Sequence, residues 1–297
     1  MTGLICQFLG IEGGGQYIKI QHTRFERYNK RNNLFNTLII LTDKELDIWQ
    51  RYHSNIKVIP NFLPNIPQVA TNHSQKVVLS VGRMDNGDQK GFLRLLDIWK
   101  MVRDSITCHT EGVARSISNN DRDSSLSTKA QNDKSVDCFG DKSPRNDELN
   151  LTEWQLIIVG DGVLKSEIQS KIHTLNLQDS VILKPFTKDI EREYLGASIY
   201  AMASHFEGFP MVLLESTAYG LAPISFDIAT GPSDIIEHNK SGFLVADNDL
   251  ESYADKLIAL MSDESMRVRF GSEAKRIVSE NFSKEVVMRQ WEEVFEG

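Results

Sequence analysis

The sequence has little of what marks an extracellular or membrane-embedded chain. It holds three cysteines in 297 residues, Cys6, Cys108 and Cys138, too few for a disulfide scaffold and without the paired spacing of a metal site. No apolar run approaches the roughly 20 residues needed to span a bilayer. Met1 to Gly15 has no basic segment ahead of its apolar residues, so it does not read as a secretory signal. A net charge of −8 argues against a protein that holds nucleic acid or anionic membrane by bulk charge. What remains is 40% hydrophobic and 25% charged, the composition of a soluble globular protein long enough for two domains. A cytoplasmic location is the expectation.

The most informative stretch runs from Ser204 to Gly220. The apolar run Ile199-Tyr200-Ala201-Met202-Ala203 reads as a buried strand that turns at Gly208 and enters a helix, with Pro210 at the first helical position. The free amides of such a helix carry about half a positive charge and face whatever lies beyond the strand end, which suits an anion. Glu207 sits in the turn and Glu215 about a turn and a half into the helix. Carboxylates accept hydrogen bonds from paired hydroxyls, so the arrangement suits a sugar at one end and a ribose at the other. His205, beside Glu207, reads equally as a ligand contact or a structural histidine.

Other strand ends carry related signals. Val77-Val78-Leu79-Ser80-Val81 is a continuous apolar strand of the kind found in a parallel sheet. It leads to Gly82-Arg83, then Lys90-Gly91 and a helix through about Arg103. The intervening Met84 to Gln89 is acidic for a loop beside a phosphate. Trp154 to Val159 is a strand followed by Gly160-Asp161-Gly162, a turn whose glycines allow close backbone approach. Lys165 stands where a third glycine would complete a dinucleotide fingerprint, which argues against a nicotinamide site. Strands also read at 181–183, 222–226 and 241–245. Leu250, Tyr253, Ala254, Leu257, Ile258 and Met261 share one helical face and read as core. Gly271 reads as a break in the next helical stretch, and Ser283 as the cap of a final helix.

Two regions depart from this pattern. Residues 1–36 are weakly patterned, and Glu12-Gly13-Gly14-Gly15 reads as a plain turn. Thr37 to Leu41 is a strand, Thr42-x-x-Glu45 a capping box opening a helix to about Tyr52, and Ile56 to Ile59 a further strand. Residues 104–152 are poor in apolar side chains and rich in Ser, Asn and Asp, far longer than an ordinary αβ connection. They are expected to be a disordered, dispensable insert, so that joining Arg103 to Glu153 leaves the fold as stable as before. Asp121-Arg122-Asp123 and Asp247-Asn248-Asp249 resemble a metal-binding Asp-x-Asp pair, but neither follows a suitable strand.

The segment Glu207-Gly-Phe-Pro-Met-Val-Leu-Leu-Glu215, with Gly82-Arg83, Lys90-Gly91 and Val159-Gly-Asp-Gly162, resembles the retaining glycosyltransferases of family 4. The resemblance implies the GT-B fold, in which a doubly wound, Rossmann-like parallel sheet holds the donor. Residues 77–297 would be that donor-binding domain. Residues 65–76 would be the linker after Val58-Ile-Pro-Asn61, and residues 1–64 part of the acceptor-side domain. The resemblance assigns Glu207 to catalysis and to donor sugar hydroxyls, Glu215 to ribose hydroxyls, and Arg83 with Lys90 to the diphosphate. Gly160, Gly162, His205, Gly208, Phe209, Pro210 and Leu214 would complete the donor site.

It also implies a nucleotide-sugar donor, no metal or other cofactor, and a saccharide or lipid-linked acceptor, the latter bringing the chain to the cytoplasmic face of a membrane. Thr230-Gly231-Pro232 resembles a branch of the family that uses UDP-galactose or UDP-N-acetylgalactosamine. With about 75 residues before Val77, the acceptor-side domain reads as truncated, and residues 1–60 are expected to be poorly ordered and transfer by the chain alone absent. A nucleotide-sugar binding module without transferase activity and a sugar-nucleotide epimerase of similar fold are the competing readings. UDP release with and without acceptor separates the three.

Overall fold

The computed structural model describes residues 8–10, 17–21, 36–120 and 151–296. The chain forms two sheets. The first has the order β1 (Phe8–Gly10), β2 (Tyr17–Gln21), β3 (Thr37–Ile40) and β4 (Ile56–Val58). β1 and β2 are antiparallel, while β2–β3 and β3–β4 are parallel. Part of residues 1–60 departs from the expectation of poor order: Leu38, Ile39 and Ile40 are fully buried and β3 is paired on both sides, while residues 1–7, 11–16 and 22–35 lie outside the described residues. After β3 the Thr42 side chain accepts a hydrogen bond from Lys44 N at 3.2 Å. The expected long helix is only a 3-10 turn, Asp43–Glu45, and a short α1, Leu46–Trp49.

The second sheet carries the core. Its strands are β5 (Val77–Val81), β6 (Gln155–Val159), β7 (Val181–Lys184), β8 (Ile199–Met202), β9 (Ala222–Asp227) and β10 (Phe243–Ala246). Their spatial order is β10-β9-β8-β5-β6-β7, all parallel. The chain winds from β5 outward through β6 and β7, then returns to the other side of β5 for β8, β9 and β10. β5 and β8 are therefore neighbours whose connections leave in opposite directions, the switch point where open α/β sheets bind ligands. This is the doubly wound architecture that the alternating apolar runs imply.

Helices cover both faces: α2 (Phe92–Asn120), α3 (Lys165–Thr174), α4 (Ile190–Leu195), α5 (Met211–Ala218), α6 (Pro232–Ile235), α7 (Leu250–Ser262), α8 (Glu264–Asn281) and α9 (Lys284–Glu296). The stripe expected on α7 is the core face, with Tyr253, Ala254, Leu257 and Met261 buried. The Tyr253 hydroxyl donates to the carbonyls of Met202 and Ile224, tying β8 to β9. Gly271 does not break a helix; it lies inside α8, because a Cβ there would stand 2.0 Å from the Gly220 carbonyl. Helix α9 packs against the first sheet, with Val287 and Val294 clustered on Ile39 and Ile59. Among the described residues no helix is long and apolar enough to cross a membrane.

The expected end of α2 needs correction. The helix continues past Arg103 to Asn120, so residues 104–120 are not part of a disordered insert. Ile106 extends the apolar stripe of Leu95, Trp99 and Val102 and is buried at 4% exposure in the main core. One isoleucine among Asp, Ser and Thr was enough to hold the turn, and composition averaged over the segment concealed it. Arg103 Nη1 donates to the Thr152 carbonyl at 3.0 Å, joining the helix to the 3-10 turn Leu151–Glu153. Residues 121–150 lie outside the described residues. We predict that Ile106→Ala lowers the unfolding free energy by about 2–3 kcal/mol, the range for deleting a buried aliphatic side chain. The deletion from Arg103 to Glu153 loses at least as much, whereas the exposed Thr107→Ala changes it by less than about 0.5 kcal/mol. Urea unfolding measures all three.

Candidate functional site

The chain leaves β5 at Gly82 and β8 at Ala203, side by side at the carboxyl edge of the sheet. Two loops cross this edge and bond to one another. His205 N donates to the Gln89 carbonyl at 2.8 Å, and Gln89 Nε2 donates to the Phe206 carbonyl at 3.2 Å. Gly91 makes the approach possible: it has φ +67°, and a Cβ there would stand 1.7 Å from the Ala203 carbonyl oxygen. The lysine before it is thereby aimed at the β8 turn. Lys90 Nζ donates to Glu207 Oε1 at 2.7 Å, and Ser204 Oγ donates to the same oxygen at 2.7 Å. The Glu207 carboxylate is 7% exposed and the lysine side chain 21%. A carboxylate this dry remains only because both donors meet it.

The far side of the Glu207 turn is held as closely. The Thr230 hydroxyl donates to the Glu207 carbonyl. Gly231, at φ +99°, lies against Pro210, where a Cβ would come within 2.5 Å of Cδ. Pro210 occupies the cap position of α5 rather than its first helical position, and its carbonyl accepts from the Leu213 and Leu214 amides. The helix mouth thus opens towards Gly208 and Glu207. Phe209 is buried and tilts against Phe282, with centroids 5.6 Å apart. Leu214 is wholly buried in the core.

Glu215 is half-buried and accepts from the Tyr194 hydroxyl at 2.9 Å. Burial pushes its carboxyl above the ordinary value, and the Tyr194 hydrogen bond only partly opposes this. His205 is exposed at the mouth. Desolvation, then the Arg94 charge, holds its imidazole below the usual value, against the pull of Asp88 and Asp247.

The glycines expected at the donor site also have a packing role. A Cβ at Gly160 would stand 1.9 Å from the Gly82 carbonyl oxygen, and one at Gly162 2.3 Å from that of Met84. The Gly160 amide is taken by the Lys184 carbonyl. These positions are glycine because the loops after β5 and β6 pack backbone to backbone. Arg83 stands in solvent with its side chain 75% exposed and pairs with Asp85 at 2.6 Å. The acidity of that loop is explained locally. Asp85 holds Arg83, and buried Asp88 caps α2 by accepting from the Phe92 and Leu93 amides at 2.8 and 2.9 Å.

Residues 141–277 match the family of Glycosyl transferases group 1. An exopolysaccharide phosphotransferase of Streptomyces coelicolor is 40% identical over 143 residues, 48% of this chain and 15% of that protein. The amylovoran biosynthesis glycosyltransferase AmsD of Erwinia amylovora is 29% identical over 247 residues, 81% of this chain and 56% of that protein. A Staphylococcus aureus TarM variant, solved with fondaparinux, alpha-GlcNAc-glycerol and UDP, matches with TM-score 0.69 at 23% identity. That match covers 91% of this chain and 45% of TarM. The fold is that of the GT-B glycosyltransferases. The chain spans about half or less of each of these proteins.

Several further residues shape the site through contacts that the sequence does not show. Ser204 and Thr230 hold the Glu207 turn, Tyr194 holds Glu215, and Arg94 binds the end of β8 from below. The contacts of Thr230, Tyr194 and Arg94 are distant in sequence, and neither Tyr194 nor Arg94 belongs to a motif. The acids of Asp247-Asn248-Asp249 are structural: Asp247 and Asn248 accept from Arg94, and Asp249 caps α7 through Ser252 N at 3.0 Å. Asp121-Arg122-Asp123 lies outside the described residues. No group of three possible metal ligands occurs among the described residues.

Two outcomes follow for the site carboxylates. Lys90→Ala leaves Glu207 desolvated without its cation and is expected to cost about 1–3 kcal/mol, largely recovered in the double variant with Glu207→Gln. Glu215 gives a pH effect of known sign. Because its folded value is raised, ionisation disfavours the fold, and stability falls as pH climbs from the ordinary carboxylate value through the raised one. Glu215→Gln keeps an acceptor for Tyr194 and removes the charge, so the melting temperature at neutral pH should rise above the parent's. The two proteins should converge as pH is lowered past the ordinary value; a gain that persists at low pH would point to packing instead.

Proposed function

We propose that this domain binds a nucleotide-sugar donor and serves transfer of the sugar, with retention of configuration and without a metal ion, to a saccharide or lipid-linked saccharide. The donor is UDP-linked, of the galactose or N-acetylgalactosamine type. The observation that carries the reading is the meeting of Lys90 and Glu207 at 2.7 Å over the switch point, at the open mouth of α5. One strand end supplies a cation and the other a carboxylate, so a diphosphate and the hydroxyls of its sugar find opposite partners a few ångströms apart. The UDP held by TarM supports the choice of nucleotide.

In this reading Glu207 orients the donor sugar through its hydroxyls, and Glu215 takes the ribose hydroxyls, with Tyr194 fixing its carboxylate. The departing diphosphate gains negative charge as the glycosidic bond breaks. Lys90, Arg83 and the first amides of α5 face that charge, and fixed donors aimed at developing charge are among the strongest sources of rate enhancement. Lys90 has three ammonium protons and can keep Glu207 while giving another to a phosphoryl oxygen. Arg83 is exposed, and its Asp85 partner is weakly held, so the guanidinium is free to turn to phosphate. A lipid-linked acceptor would bring the protein to a membrane face without a spanning helix.

UDP is expected to raise the melting temperature in proportion to the logarithm of its concentration, as a ligand of the native state does. Glu215→Ala should reduce the UDP contribution by about 1–3 kcal/mol, the scale of charge-assisted hydrogen bonds. Equal UDP shifts in parent and variant would refute the ribose assignment. A panel of UDP-sugars read by the same shift names the sugar. UDP release that needs an added acceptor saccharide distinguishes transfer from hydrolysis, and interconversion of two UDP-sugars without release would mark an epimerase instead.

A further inference from the structure

Arg94 is a charged side chain that the donor reading leaves unused, and it is among the most completely bonded groups in the domain. It lies four residues after Lys90 near the start of α2 and is 7% exposed. Nε donates to the Ala203 carbonyl at 2.6 Å, and Nη2 donates to the Ser204 carbonyl. Nη1 donates to Asp247 Oδ1 and to Asn248 Oδ1, both at 2.9 Å. The guanidinium carbon sits 4.2 Å from the centroid of the Phe226 ring, at the end of β9. One planar fork thus gathers the ends of three adjacent strands, β8, β9 and β10, at the edge where the site lies.

Core packing does not require this. A guanidinium is costly to bury, and replacing a buried ionic cluster by apolar side chains is often neutral or stabilising. The carbonyls that Arg94 holds are those of the residues where β8 ends, and Ser204 is also the residue whose hydroxyl donates to Glu207 Oε1. We propose, on the donor reading above, that Arg94 is a positioning residue. It fixes the Ala203–Ser204 backbone, so that Ser204 and Lys90 meet the same carboxylate oxygen and Glu207 is already oriented before the donor sugar arrives. Its effect falls more on the sugar than on the nucleotide, because its hydrogen bonds go to the β8 end and the β10 turn and reach Lys90 only through Glu207. Lysine cannot replace it: an ammonium lacks the fork that spans two carbonyls and two side-chain acceptors at once.

Hydrogen–deuterium exchange and ligand-dependent melting on the full chain test this with Arg94→Met, Arg94→Lys and Asp247→Asn. In Arg94→Met, exchange at the amides of residues 203–209 should rise roughly tenfold or more while β6 and β7 keep parental rates, as for a local opening. Affinity for UDP should stay within roughly threefold. The added affinity of UDP-galactose or UDP-N-acetylgalactosamine over UDP should fall roughly ten- to hundredfold, the scale on which misplacement of a binding group acts. Arg94→Lys should recover melting temperature but not the sugar-specific increment. If Arg94→Met does not fold, Asp247→Asn, which keeps an acceptor for Arg94 but removes the opposite charge at a half-exposed position, should show the same pattern at reduced size. Unchanged exchange at 203–209, exchange raised equally throughout the domain, or equal losses for UDP and UDP-sugar would each overturn the proposal. A parent that binds no UDP would refute the donor reading, and the exchange data would still decide whether Arg94 orders the Glu207 turn.

Discussion

The site depends on one topological constraint, the reversal of winding between β5 and β8. Where successive crossovers run the same way, each helix and loop roofs the next strand end. At the reversal they diverge, and the edge between two central strands is left open to solvent. Everything chemically distinctive in the domain collects there: Lys90 from the β5 side, Ser204 and Glu207 from the β8 side, and the first turn of α5 between them. Hydrophobic burial builds the sheet, but the gap in its roof decides where charge can be held half-dry. A carboxylate in full water would bind hydroxyls weakly, and one in the core would not stay ionised. Glu207 is nearly covered, and its carboxylate accepts from an ammonium and a hydroxyl.

That placement explains why so much backbone around the turn is fixed. Gly91 lets the two loops touch, Gly231 lets Pro210 seat α5, Thr230 holds the Glu207 carbonyl, and Arg94 holds the strand end. None of these groups need touch a ligand. Together they remove the freedom of a loop that would otherwise have to be ordered on binding, and ordering it then would weaken the affinity for the donor. Glu215 is in the opposite situation. Its environment disfavours its charge, and a ligand offering two hydroxyl donors would relieve that penalty. One carboxylate is held by two donors, and the other is held by a single hydroxyl in surroundings that disfavour its charge.

The sequence made part of this legible. Val77–Val81, Ile199–Met202 and their companions announce a parallel sheet because strands buried on both faces are continuously apolar. Glu207 and Lys90 could be singled out because they stand beside glycines after strand ends, and Glu215 because it follows Glu207 in the helix of the same stretch. Their surroundings could not be read. The bonds from Arg94 to Ala203, from Thr230 to Glu207 and from Tyr194 to Glu215 join residues far apart in sequence, and such pairs leave no periodicity. The packing role of the glycines was hidden for the same reason. Gly271 looks locally like a break but lies inside α8, and Gly160, Gly162 and Gly271 each admit a carbonyl from a distant segment. The end of α2 was misjudged because one buried side chain, Ile106, outweighed a polar composition around it.

The first sheet meets the second in two unlike ways. At the rear, Leu63 bridges Ser283, and Ile39 and Ile59 pack on Val287 and Val294 of α9, an apolar contact with little exposed surface. At the front, beside the site, the contacts are polar: Thr42 Oγ1 donates to Asp234 Oδ1 at 3.0 Å and Lys44 pairs with Asp227 at 2.8 Å. A buried aliphatic side chain is worth about 1.5–3 kcal/mol, while an exposed ion pair is worth about 0–1. The rear attachment therefore dominates and the front one is easily exchanged. Asp234 also accepts from the Gly231 amide, next to the threonine that holds the Glu207 carbonyl. The weaker contact thus joins the first sheet to the turn that carries Glu207, so a shift of that sheet about its apolar rear attachment would be felt first at the site.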